Sequence, residues 1–117
     1  MDIRDEWIAA LRHWAENNGS VLELWIFGSR AKLTAHKDSD IDIAVLLMPP
    51  DGKHNWALAN WVEFFDQWKA ELKSALDWPV SLTAIGKGFE MDDEVRSTGV
   101  RIWRRGISPQ ANRIARP

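Results

Sequence analysis

Cysteine and tyrosine are both absent from this 117-residue sequence. Without cysteine there is no disulfide framework and no thiolate metal site. No apolar stretch approaches the roughly 20 residues a membrane helix needs. The charged opening Met1-Asp2-Ile3-Arg4-Asp5-Glu6 is unlike a secretory signal, so a cytoplasmic protein is expected. Neither sign of charge prevails: the formal net charge of −2 argues against a nucleic-acid binder, which is usually basic. His13, His36 and His54 lie far apart, with no carboxylate at ligand spacing, and read as surface histidines. What is present suits one globular domain: 45% hydrophobic and 27% charged residues are ordinary proportions for a soluble core. The length suits a single core and leaves no room for a separate substrate-binding domain. Eight tryptophans against no tyrosine is the compositional oddity.

Hydrophobic periodicity divides the chain. Ile3, Trp7, Leu11 and Trp14 predict an amphipathic helix over residues 2–17, with acids in its first turn. Asn17-Asn18-Gly19 stops it, since Asn and Gly tolerate the left-handed cap conformation. The dense apolar run 21–27 predicts a strand, 29–34 a short helical turn, and 40–48 a second strand ended by Pro49-Pro50, which cannot donate to a ladder. Residues 56–76 carry Leu58, Trp61, Val62, Phe65, Trp68, Leu72 and Leu76 as a broad apolar helical stripe. Trp56, at the start of that helix, is expected to be exposed. A third strand over 79–85 sets Val80, Leu82 and Ala84 on one face and Ser81, Thr83 and Ile85 on the other. A short acidic helix over 90–98, capped by Gly99, precedes a last strand over 100–103. Residues 1–103 form one domain, and 104–117 read as a flexible basic tail with Arg104, Arg105, Arg113 and Arg116. The order of elements predicts an α/β (α+β) fold, a small mixed sheet of about four strands with helices packed against it.

Chemistry concentrates in Gly28-Ser29, followed after ten residues by Asp40-Ile41-Asp42. Strand side chains alternate faces, so Asp40 and Asp42 project together while Ile41, Ile43, Val45 and Leu47 enter the core. Two carboxylates so placed are hard oxygen ligands suited to Mg²⁺, which keeps waters and completes its shell with substrate phosphates. Glycine permits the close backbone approach that a triphosphate needs, and the Ser29 hydroxyl and nearby amides can donate to phosphate oxygens. Arg30 can neutralise phosphate charge with a forked guanidinium; Lys32 equally fits a solvated basic turn. The chemistry suggested is phosphoryl or nucleotidyl transfer from a Mg–NTP.

Leu24-Trp25-Ile26-Phe27-Gly28-Ser29-Arg30-Ala31, with Asp38-Ser39-Asp40-Ile41-Asp42-Ile43-Ala44-Val45 after it, resembles the DNA-polymerase-β-type nucleotidyltransferase superfamily, and within it the minimal nucleotidyltransferase (MNT) group. The resemblance runs from about Val21 to Trp103. It implies a polymerase-β-like fold, ATP as NMP donor, and a hydroxyl of a HEPN-domain toxin as acceptor, with this chain acting as antitoxin in a homo- or hetero-oligomer. By that resemblance Gly28, Ser29 and Arg30 hold the nucleotide and Asp40 and Asp42 the metal. The superfamily carries a third carboxylate on a later strand, and Ser81 stands at that catalytic position. Asp77, before Pro79, and Glu23, on the first strand, are the acids nearest to substituting for it. A serine supplies neither the charge nor the base, so the alternative is an antitoxin that neutralises its partner by binding alone.

Overall fold

A computed structural model describes residues 3–33, 39–47, 56–86 and 89–106, together with the side chains within them except at 56–58 and 60. Expectations for Asp38, His36, His54, Met48, Pro49, Pro50, the side chains of Trp56 and Leu58, Arg113, Arg116 and the rest of 107–117 lie outside the described residues. The chain runs α1 (Asp5–Glu16), β1 (Val21–Phe27), α2 (Gly28–Ala31), β2 (Ile41–Leu47), α3 (Trp56–Leu76), β3 (Val80–Ile85), α4 (Asp92–Thr98) and β4 (Val100–Arg104). The sheet order is β3-β2-β1-β4. β1 pairs antiparallel with β2 and with β4, while β2 and β3 are parallel, a pairing that requires a long crossover, here supplied by α3. The result is the four-stranded mixed sheet that the sequence predicts.

Alternation along the strands divides the interior in two. Leu24, Ile26, Ile41, Ile43, Val45, Val80, Leu82 and Ala84 face Trp7, Leu11, Trp68, Leu72 and Leu76 in one cluster. On the opposite face Phe27, Ala44, Ile85 and Val95 form a smaller cluster under α4. The same face of the sheet bears Asp42 and Ser81, which pair across β2 and β3. Asp92 accepts bonds from the Gly86 amide and Arg96 Nε, both at 2.8 Å. The Arg96 bond does most to hold its carboxyl below the usual 3.8.

Several local signals resolve differently from the sequence reading. Val62 is 73% exposed, because the buried stripe of α3 turns through Phe64, Phe65, Trp68 and Leu72 and leaves Val62 beside it in solvent. Helix α1 ends without a left-handed residue. Asn17 has φ −93°, and its side chain caps the helix by donating to the His13 carbonyl at 2.8 Å, while Asn18 Oδ1 accepts from the Ser20 amide. Gly99 is extended at φ −84°. Its need for glycine is one of space: a Cβ there would lie 2.5 Å from the Val95 carbonyl and 3.1 Å from that of Ile26. The fold also continues past Trp103. Arg104 belongs to β4, and Arg105 donates to the carbonyls of Val21, Ala15 and Asn18 at 2.9, 3.1 and 2.7 Å. These bonds satisfy acceptors at the α1–β1 connection.

The two faces of α3 make a stability test. Leu72 is fully buried, so Leu72→Ala should cost about 2–5 kcal/mol, whereas Val62→Ala should stay within about 0.5 kcal/mol. Urea unfolding of the two variants checks the assignment.

Candidate functional site

The register of the sheet assembles the site. On β2, Asp42 pairs with Phe27 of β1 on one side and with Ser81 of β3 on the other. Phe27 leads directly into Gly28, so the turn at the end of β1 lies over the strand position that carries the acid. Gly28 has φ +70°, a left-handed conformation that glycine adopts without steric cost. A Cβ built on it would run into Oδ2 and Cγ of Asp42. Glycine is thus required twice over, by backbone angle and by space.

The acid pair carries an electrostatic cost. Asp42 is half-buried and Asp40 exposed. Burial chiefly, and then the charge of Asp40, push the Asp42 carboxyl above its ordinary 3.8, while the Ser81 hydroxyl and the Arg30 charge act in the opposite direction. Ser81 Oγ lies 3.5 Å from Asp40 Oδ2, the outer limit of a hydrogen bond, and Ser81 pairs with Asp42 across the ladder. Among the described residues no group of three or more His, Cys, Asp or Glu side chains gathers to hold a metal. A donor set of two crowded carboxylates fits a divalent cation that takes its remaining ligands from water and a polyphosphate.

The other predicted residues separate. Ser29 is half-buried in α2. Arg30 is 5% exposed and donates to the Ser39 carbonyl from Nη2 at 2.7 Å and Nε at 3.3 Å, so it lies beneath the turn. Lys32 pairs with Glu94 at 3.4 Å and leans toward α4. His13 is exposed, as the sequence predicts. Neither substitute acid reaches the pair. Glu23 stands opposite Leu46, at the far end of the strand pair from Phe27 and Asp42, and is matched with Arg101 and Arg104 at 3.5 and 3.7 Å. Asp77 is exposed in the α3–β3 connection at φ +50°. Sequence reasoning missed Trp78, whose Nε1 donates to the Ser39 carbonyl at 2.9 Å. No local pattern reveals a contact across that separation, though the surplus of tryptophan was a clue.

Residues 10–106 match the sequence model of the family described as Polymerase beta, Nucleotidyltransferase. A search of the curated proteins finds no match. Similar solved structures include a toxin–antitoxin complex with AMP-PNP, 28% identical, with TM-score 0.56 over 94% of this chain and 77% of that one. The MntA–HepT toxin–antitoxin, 23% identical, has TM-score 0.56 over 95% and 79%. A protein from Shewanella oneidensis, also 23% identical, has TM-score 0.52 over 95% and 79%. The last two show likeness of fold. Among the described residues no helix is long and apolar enough to cross a membrane.

The raised Asp42 pKa gives a signed expectation. A carboxyl that holds its proton more tightly when folded loses stability as pH rises through the window between its unfolded and folded values, and the loss persists at higher pH. In metal-free buffer Asp42→Asn should therefore melt above wild type at pH 7, with the gap closing as pH falls toward 3.8. Calorimetric scans across that range check it; an Asn variant less stable than wild type at neutral pH would contradict the cost of burying the Asp42 charge beside Asp40.

Proposed function

Because the chain belongs to the polymerase beta nucleotidyltransferase family, we propose that it is a Mg²⁺-dependent enzyme that transfers AMP from ATP to a hydroxyl of a HEPN-type partner protein, and so acts as the antitoxin of a pair. The observation that carries this reading is the close approach of Gly28 to Asp42, which joins the turn and the acid pair in one cradle. Similarity to a toxin–antitoxin complex with AMP-PNP supports both the nucleotide and the kind of partner.

Asp40 and Asp42 would hold the cation, and Gly28 and Ser29 would receive the triphosphate. Arg30 adds positive potential from below, as its effect on Asp42 indicates. Bound Mg²⁺ supplies neutralisation of phosphate charge and orientation of the α-phosphate. The acceptor oxygen attacks the α-phosphorus in line, the new P–O bond forms as the bond to the β-phosphate bridging oxygen breaks, and pyrophosphate leaves. Positioning and charge neutralisation carry most of the rate in such a reaction. The Ser81 hydroxyl is no base at neutral pH, so the proton of the acceptor hydroxyl passes to water.

Ser81 also favours a second reading, a chain that binds the nucleotide or the partner and neutralises by binding alone. Asp42→Asn separates the two. Neutralisation lost from an intact complex means chemistry; neutralisation retained means binding.

Calorimetric titration with AMP-PNP tests the site itself. Binding should strengthen at least about 10-fold with Mg²⁺, comparable to the loss when a metal site is disturbed, and Asp40→Asn should remove that gain. Ser81→Asp should raise AMP transfer. Equal binding with and without Mg²⁺ would overturn the metal-dependent reading.

A further inference from the structure

Asp40 lies just outside the sheet. The ladder of β2 begins at Ile41, so no strand pairing holds Asp40 against the repulsion from Asp42. Its two flanking peptides are nevertheless both tied down. On one side the Ser39 carbonyl receives Arg30 Nη2 at 2.7 Å, Arg30 Nε at 3.3 Å and Trp78 Nε1 at 2.9 Å. On the other, the Ile41 amide donates to the Pro79 carbonyl at 3.0 Å. Trp78 and Pro79 are consecutive, so one dipeptide of the α3–β3 connection brackets Asp40.

This bracket is itself braced. The Trp7 and Trp78 rings lie 5.5 Å apart. The Arg30 guanidinium sits 5.2 and 5.6 Å from them, and that of Arg4 at 4.5 and 5.5 Å. Such contacts over indole faces are attractive, more so when desolvated, and Arg30 is almost wholly buried. Its planar fork is pre-organised for two bonds to one acceptor. A buried arginine bonded to a carbonyl, with an indole N–H on the same oxygen, sets the direction of that peptide and with it the starting point of the Asp40 side chain.

We infer that Trp78 and Arg30 are positioning residues that hold Asp40 beside Asp42 through the Ser39 carbonyl. The inference deepens the metal-and-nucleotide reading and rests on it for consequence, while the anchoring is measurable without any ligand. Arg30 in this role serves the acid pair from behind, and two of the eight tryptophans have a task at the site.

The test uses the full chain carrying Trp78→Phe, which keeps an apolar ring and removes the indole donor. In ¹⁵N relaxation the Asp40 order parameter should fall from about 0.85 to below about 0.6, with Ile43 and Leu82 unchanged. In parallel, Mg²⁺-dependent AMP-PNP binding should weaken about 10-fold, the scale for loss of a group that orients a metal ligand, and metal-free binding should not change. Arg30→Lys, which keeps the cation and loses the fork, should lower the Asp40 order parameter to a lesser degree and serves for that readout if Trp78→Phe does not fold. An unchanged Asp40 order parameter overturns the inference, as does lost order with undiminished Mg²⁺-dependent binding. If wild type shows no such binding, the functional reading falls and the order parameter alone decides the anchor.

Discussion

The backbone of Gly28 approaches the Asp42 carboxylate so closely that no side chain fits between them, and the arrangement of the site follows from that approach. It requires β1 to end where β2 presents its acid, which the antiparallel pairing of Phe27 with Asp42 ensures. It requires the opposite face of β2 to be anchored, which Ile41, Ile43 and Val45, all fully buried, provide. Among the described residues the helix packed on the acid face is the short α4, through Val95. Burial and the neighbouring Asp40 then work against the Asp42 charge, so the fold maintains two like charges in an arrangement that a cation relieves.

The strands and the long helix were legible because their signals are local. The run at 21–27 matches β1 end to end, and the stripe at 56–76 matches α3. Alternation along β2 puts Asp42 on the face opposite the buried isoleucines, whereas Asp40 precedes the strand, which begins at Ile41. What sequence could not supply were facts of distance in three dimensions. Val62 has the helical spacing of a core residue, yet it stands at the edge of the buried arc. Gly99 has the look of a left-handed cap, but it is small because two carbonyls crowd it. The importance of Arg105 and Trp78 depends on acceptors far away in sequence, which no periodicity encodes.

The pairing of Asp42 with Ser81 places a hydroxyl, and no further charge, beside the acid pair. The nearby alternatives are otherwise engaged: Glu23 is 5% exposed and meets Arg101 and Arg104, and Asp77 sits in an exposed connection. With two carboxylates at the site and the Arg30 charge acting in favour of the Asp42 charge, the local charge is only moderately negative. A site of this charge is suited to a cation that arrives with the nucleotide, since the phosphates supply the missing ligands.

That claim is tested most directly by counting bound Mn²⁺, as a paramagnetic substitute for Mg²⁺, by electron paramagnetic resonance in the presence and absence of AMP-PNP. One tightly held ion per chain is expected with the nucleotide analogue, with weak binding without it and loss of the tight ion in Asp40→Asn. Tight binding of Mn²⁺ without the analogue, or no difference between the wild-type protein and Asp40→Asn, would contradict it.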